Sequence, residues 1–166
     1  KQLIAGNWKM NGLLSARSEV AALSAGVKTL AIVPDIVICP PATLLRSLLT
    51  EIEGTSLRLG GQTCHPVASG AHTGDVSAEM LKDAGAAYVI VGHSERRADH
   101  KETSEQVAAQ ARAAWRAGLS AIVCIGETEA ERAGGRMQDV LASQIEGSVP
   151  EQAAARNTAI AYEPVW

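Results

Sequence analysis

The chain has 166 residues, 46% of them hydrophobic and 20% charged, with 15 basic against 18 acidic side chains and a net charge of −3. That balance excludes a disordered tail, a collagen-like repeat and a disulfide-rich miniprotein. It also lacks the basic excess expected of a chain that binds nucleic acid or an anionic membrane, and apolar runs such as Tyr88–Val91 and Ala121–Ile125 are too short to span a bilayer.

The length fits one domain or a large part of one, and no Pro/Ser-rich linker interrupts it. Residues 1–166 are therefore read as a single domain. Phe is absent and aromatics make up 3%, so the core must be built from Ala, Val, Ile and Leu. Asn7, Lys9 and Asn11 break the first apolar run, which argues against a signal-peptide core after Lys1. Cys39, Cys64 and Cys124 are odd in number, with no C-x-x-C spacing, and predict reduced thiols in a cytoplasmic protein.

Short β-branched runs alternate with longer helical stretches. The first strand is expected at Leu3–Asn7, followed by a helix at Ala16–Val27 with Ser15 as its cap. A second strand, Asp35–Cys39, precedes Pro40-Pro41 and a helix at Ala42–Ile52. The third, Leu57–Gly61, is followed by a helix at Ser77–Ala84 that stops before Gly85. The fourth, Tyr88–Gly92, leads to a helical turn near Ser94. Thr103-Ser104-Glu105-Gln106 then fits a capping box ahead of Val107–Ala117. The fifth, Ser120–Ile125, precedes helices at Glu129–Ala133 and Met137–Ile145, and the sixth spans Asn157–Tyr162.

These strands are nearly continuous in apolar residues, as strands buried on both faces of a parallel sheet are. Repeated β-α order leaves two architectures: an open doubly wound sheet or a closed (βα)8 barrel. Strand starts at residues 3 and 157 bound five repeats of roughly 31 residues, and eight such repeats make roughly 250, the usual size of a complete barrel. On that α/β reading the chain carries β1 to β6 of a (βα)8 TIM barrel.

Polar residues cluster just after the strands: Asn7, Lys9 and Asn11; Gln62 and Thr63; His93-Ser94-Glu95-Arg96-Arg97; Glu127-Thr128; and Glu163-Pro164. In a barrel those ends meet on one rim, where active sites are built. His93 stands between a buried strand and a helical turn, whose N-terminus favours a neutral imidazole able to donate a hydrogen bond. Glu163 stands at the mouth of an apolar strand, where desolvation would make it a better base. Lys9 would offer a fixed cation to a phosphate or an enolate oxygen. Each also has an ordinary alternative: a loop His packed on Arg96, a solvated rim Glu and a surface Lys.

Four histidines show no H-E-x-x-H spacing, so no metal site is expected. No G-x-G-x-x-G or G-x-x-x-x-G-K-[ST] occurs, which weighs against a bound nucleotide cofactor.

Ala5-Gly6-Asn7-Trp8-Lys9-Met10-Asn11-Gly12 resembles the first strand and loop of the triosephosphate isomerase family. Val91-Gly92-His93-Ser94-Glu95-Arg96-Arg97 resembles its fourth, Cys124-Ile125-Gly126-Glu127-Thr128 its fifth and Ala161-Tyr162-Glu163-Pro164-Val165-Trp166 its sixth. The resemblance implies interconversion of dihydroxyacetone phosphate and glyceraldehyde 3-phosphate, with no cofactor and no metal. It makes Glu163 the base, His93 the carbonyl-polarising acid and Lys9 the cation on the triose phosphate. Asn7 would hydrogen-bond nearby, Glu95 and Cys124 would support the site, and Pro164-Val165-Trp166 would form the first hinge of a lid.

The resemblance also implies a homodimer, with Thr73 at the tip of a loop that enters the neighbouring subunit. In that loop His72 stands where the family often has an aromatic residue and Asp75 where it often has Glu. Thr63 replaces a common Asn, and His100-Lys101 a frequent Phe-Gly. The end at Trp166, inside the sixth motif, supports an alternative expectation: a catalytically silent folding or complementation module.

Overall fold

A computed structural model describes residues 2–31, 34–164 and 166. Six strands form where the β-branched runs lie: β1 (Leu3–Asn7), β2 (Asp35–Cys39), β3 (Leu57–Gly61), β4 (Ala86–Val91), β5 (Ser120–Ile125) and β6 (Thr158–Tyr162). The expected bounds are met in β1, β2, β3 and β5. β4 begins two residues earlier than its apolar run suggested, at the small Ala86-Ala87 pair.

Every adjacent pair is parallel, and the order in the sheet is β1-β2-β3-β4-β5-β6. A doubly wound sheet reverses its strand order at a switch point. This sheet never reverses, which is the order of a barrel wall. All six C-terminal strand ends therefore lie along one rim.

Between the strands run α1 (Arg17–Val27), α2 (Leu45–Ile52), α3 (Ala78–Asp83), α4 (Ser94–Asp99), α5 (Ser104–Arg116), α6 (Glu129–Ala133) and α7 (Met137–Ser148). The caps follow local chemistry. Thr103 and Gln106 close a reciprocal capping box on α5, and Thr128 and Glu131 close another on α6. Ser77 Oγ accepts from Met80 N at the start of α3. Ser15 is not a cap: a 3₁₀ turn at Leu14–Ala16 feeds α1 directly, with no side-chain cap. α7 runs three residues beyond its expected end, because Ser148 is fully buried and packed rather than solvated.

The strands bury two layers. Leu57, Leu59, Val89, Val91, Ala121 and Val123 face outward onto the helices, where Leu45, Leu48, Leu81 and Val107 cover them. Val37, Cys39, Ile90, Ile122 and Cys124 form a second, inner cluster with Leu3, Tyr88, Ala159 and Ala161. Alternation along each strand divides the two sets. On the outer strands Ile4 is 48% exposed and Ile160 and Tyr162 each 50%. No helix among the described residues is long and apolar enough to cross a membrane.

Candidate active site

The rim gathers Asn7, Lys9, His93 and Glu95 around one cleft of about 420 Å³, together with Gln62, Thr63 and Arg96. Residues far apart in sequence meet because they stand at the C-terminal ends of three parallel strands, β1, β3 and β4.

His93 is 5% exposed and caps α4. Its Nδ1 accepts the backbone N–H of Glu95 at 3.3 Å. That bond requires a lone pair on Nδ1, which fixes the neutral ring as the Nε2–H tautomer. Nε2 lies 2.9 Å from Glu163 Oε2, yet the N–H does not align on that oxygen and the buried atom forms no hydrogen bond. An unsatisfied buried donor is costly. Here it is the atom that faces the rim carboxylate.

Lys9 adopts φ +53°, a left-handed conformation that costs a non-glycine residue about 1–2 kcal/mol. Hydrogen bonds hold it there. Lys9 N donates to Asn7 Oδ1 at 2.9 Å, and Gln62 Nε2 donates to Lys9 O and Cys39 O, both at 2.8 Å. The result aims Lys9 Nζ at Glu95 Oε1, 2.7 Å away. The hydrogen bond from Lys9 holds the Glu95 carboxyl below its usual range, and the same bond holds the Lys9 ammonium above its own. Gln62 was not singled out from sequence, although its position at a strand end pointed to the rim.

Glu163 follows β6. Its backbone N–H donates to Ile125 O at 2.9 Å, continuing the β5–β6 ladder. The desolvation expected of Glu163 is not found: its side chain is 45% exposed. Beneath it lies Gly126. A Cβ at Gly126 would stand 2.0 Å from Glu163 O and 3.2 Å from Pro164 Cα. Gln144 clamps the same glycine at both ends: Gly126 N donates to Gln144 Oε1 at 2.9 Å, and Gln144 Nε2 donates to Gly126 O at 3.0 Å. No spacing in the sequence linked Gln144 to this site.

Cys124 is 4% exposed within β5, and burial, with a smaller contribution from the nearby Glu163 charge, pushes its thiol up to about 12. It is a packed neighbour, not a nucleophile. Thr73 lies exposed in the turn of the loop between β3 and α3 and does not line the cleft. Val165 lies outside the described residues, so the hinge reading covers Pro164 and Trp166 alone. The Trp166 ring centroid is 5.1 Å from Arg132 Cζ.

His65, His72 and Asp75 bring one potential ligand atom each to within 4.8 Å of one another. His65 Nδ1 accepts from Val67 N at 3.1 Å, so the neutral ring carries its proton on Nε2, which faces Asp75 Oδ2 at 3.7 Å. The His72 ring stacks 4.0 Å away. With both His65 nitrogens engaged in the loop's own contacts, this group reads as a brace for the loop rather than a metal centre.

His93, Glu163 and Lys9 thus stand on the C-terminal rim of a parallel barrel wall, the face on which such barrels build their active sites. The family model described as Triosephosphate isomerase matches residues 2–166, and the chain belongs to that family. It is 58% identical over 166 residues to the triosephosphate isomerase of Afipia carboxidovorans and 55% identical over 166 residues to that of Dinoroseobacter shibae. Both matches cover 100% of this chain but 66% of the relative. The crystal structure of triosephosphate isomerase from Bartonella henselae matches with a TM-score of 0.94 and 50% identity, over 99% of this chain and 68% of that one. The six strands are thus part of a (βα)8 barrel, and the chain spans about two thirds of the length of the relatives it matches.

Proposed function

We propose that this rim interconverts dihydroxyacetone phosphate and glyceraldehyde 3-phosphate. The 2.9 Å approach of His93 Nε2 to Glu163 Oε2 carries the reading, because it sets a donor and a base on adjacent positions. A carbonyl oxygen seated at Nε2 would place its neighbouring carbon beside the Glu163 carboxylate. Glu163 takes a proton from that carbon, and the C–H electron pair forms the carbon–carbon double bond of an enediolate. The negative charge on the former carbonyl oxygen is met by the Nε2–H of His93 and by Lys9. Proton exchange between the two oxygens through His93, and return of the proton from Glu163 to the adjacent carbon, complete the isomerisation. Lys9 must exchange Glu95 for substrate, so that its ammonium turns from the carboxylate 2.7 Å away to the incoming anion.

The test is isomerase activity of the purified protein against a Glu163→Gln control. A fall in kcat of about 10²–10⁴-fold in the control is expected. Equal, background-level activity in both forms would favour the silent-module reading, whose support is the uncovered Ile160 and Tyr162 on β6.

The partner we propose is a second copy of this chain, and the compartment the cytoplasm. A cavity of about 580 Å³ beside the cleft is lined by Lys9, Thr63, Glu102 and Gln110 among others. Buried Glu102 Oε2 and Gln110 Oε1 have no donor there. The loop carrying Thr73, inserted from a neighbour, would fill that cavity and bring hydroxyl and N–H donors against its polar lining. Sedimentation should give a dimer, and Thr73→Arg a monomer.

A further inference from the structure

We infer that Arg97 is a positioning residue that sets the separation of His93 and Glu163. Its guanidinium reaches across the base of the rim. Nε donates to Gly92 O at 2.8 Å, and Nη2 donates to Cys124 O at 3.2 Å and to Ser148 Oγ at 2.9 Å. Nη1 donates to Ser104 Oγ at 3.3 Å. One side chain on α4 thereby ties the ends of β4 and β5 to the start of α5 and the end of α7.

Of the two carbonyls it holds, one belongs to the residue before His93 and the other lies one residue before the carbonyl that accepts the Glu163 N–H. Gly92 immediately precedes His93 and sits at φ +68°, a conformation natural to glycine, so the direction of the His93 ring depends on where its carbonyl is held. Cys124 precedes Ile125, whose carbonyl accepts the Glu163 N–H at 2.9 Å. The route from one group to the other is therefore short: His93, Gly92 O, the guanidinium, Cys124 O, Ile125 O and Glu163 N. The packing leaves little slack. A Cβ at Gly92 would meet Arg97 Nη2 at 2.9 Å and Val107 at 2.8 Å.

The charge argues the same way. No carboxylate among the described residues pairs with Arg97, and its acceptors are two carbonyls and two hydroxyls. The Glu102 charge acts on it without forming an ion pair, and a partly buried cation whose donors all go to neutral acceptors is an expensive way to fill space. A planar fork with donors in fixed directions suits the holding of two carbonyls at a set spacing, and a lysine ammonium cannot reproduce it. A cavity of about 250 Å³, lined by Gly92, Arg97, Gly126 and Gln144 among others, opens beside the guanidinium. It gives a small cation access once the side chain is removed.

The experiment compares the protein with Arg97→Lys and with Arg97→Ala, the latter with and without millimolar guanidinium. One readout rests on the isomerase reading: kcat and KM per folded molecule. The other needs no turnover: the ring nitrogen resonances of His93. We expect kcat to fall by about 10²-fold in both variants, the scale of a 1 Å misplacement, with KM held within about 2-fold. Guanidinium should restore part of the loss in Arg97→Ala but none in Arg97→Lys. The His93 ring should leave its fixed Nε2–H tautomer in both. Folded variants with unchanged kcat and an unchanged His93 spectrum overturn the inference, as does a loss of activity that vanishes once it is counted per folded molecule. An inactive parent protein would count against the isomerase reading, while the His93 spectrum still decides the role of Arg97. If neither Arg97 variant folds, Ser148→Ala removes one hydroxyl acceptor alone. A shift of the His93 nitrogens toward mixed tautomers then supports the inference, and no shift overturns it.

Discussion

Gly126 lies against the backbone of Glu163 so closely that a methyl group on it would stand 2.0 Å from the Glu163 carbonyl oxygen and 2.7 Å from the carbonyl carbon. Backbone cannot swing aside as a side chain can. Gly126→Ala should therefore move the start of the lid segment and carry the carboxylate away from His93. The expected result is a loss of about 1–3 kcal/mol in stability and about 10²-fold in kcat. Urea unfolding and steady-state kinetics on the same preparation check both.

A second glycine packs against a side chain instead. A Cβ at Gly60, on β3, would lie 2.6 Å from Cys39 Sγ on β2, within the inner layer. Gly60→Ala is expected to cost about 1–3 kcal/mol. Cys39→Ala in the same chain should recover part of that, with a coupling of about 0.5–3 kcal/mol in a double-mutant cycle. Strict additivity would place the strain elsewhere.

The Lys9–Glu95 pair makes stability depend on pH in a definite direction. Glu95 is held below its ordinary value, first by the hydrogen bond from Lys9, so its contribution is present above the usual carboxylate range and fades as pH falls through the lowered folded value. Lys9 is held above its ordinary value by the same bond, so its contribution is present below the usual ammonium range and is lost as pH rises through the raised value. Both side chains are half exposed, at 48% and 50%, which limits the effect to about 0–1 kcal/mol. The gap between the protein and Glu95→Gln should be flat near neutrality and close at both extremes. Denaturant midpoints across pH check it, and a gap that grows in acid contradicts it.

The three cysteines are buried, and burial pushes each thiol up to about 12. At neutral pH almost no thiolate is present on any of them. A thiol reagent should leave the folded protein unlabelled over hours and label three sites at once in denaturant. Fast labelling of one site in the native state would mean that its strand opens locally.

Much of this was legible beforehand because strand ends in a parallel sheet converge. Once six apolar runs are placed, Asn7, Lys9, His93 and Glu163 must share a rim, whatever lies between them. The capping box expected at Thr103 follows from a rule three residues long, and the structure adds a second of the same kind at Thr128. The contacts that Gln62, Arg97 and Gln144 make depend on distances that sequence spacing does not encode. Gln62 acts through two carbonyls on other strands, Gln144 reaches back to Gly126 from α7, and Arg97 spans four elements. Ser15 misled because a 3₁₀ turn competes with a side-chain cap for the same backbone groups. The exposure of Glu163 was missed because a strand end can bury its backbone while its side chain stays in water.

The proposed isomerisation turns on one step, the movement of a proton on carbon by Glu163 with His93 beside it. Incubation with dihydroxyacetone phosphate in heavy water, followed by proton NMR, reads that step directly. Deuterium is expected at the carbon next to the carbonyl with the native protein and none above background with Glu163→Gln. Exchange that persists undiminished in Glu163→Gln, or that never appears in the native protein, would contradict it.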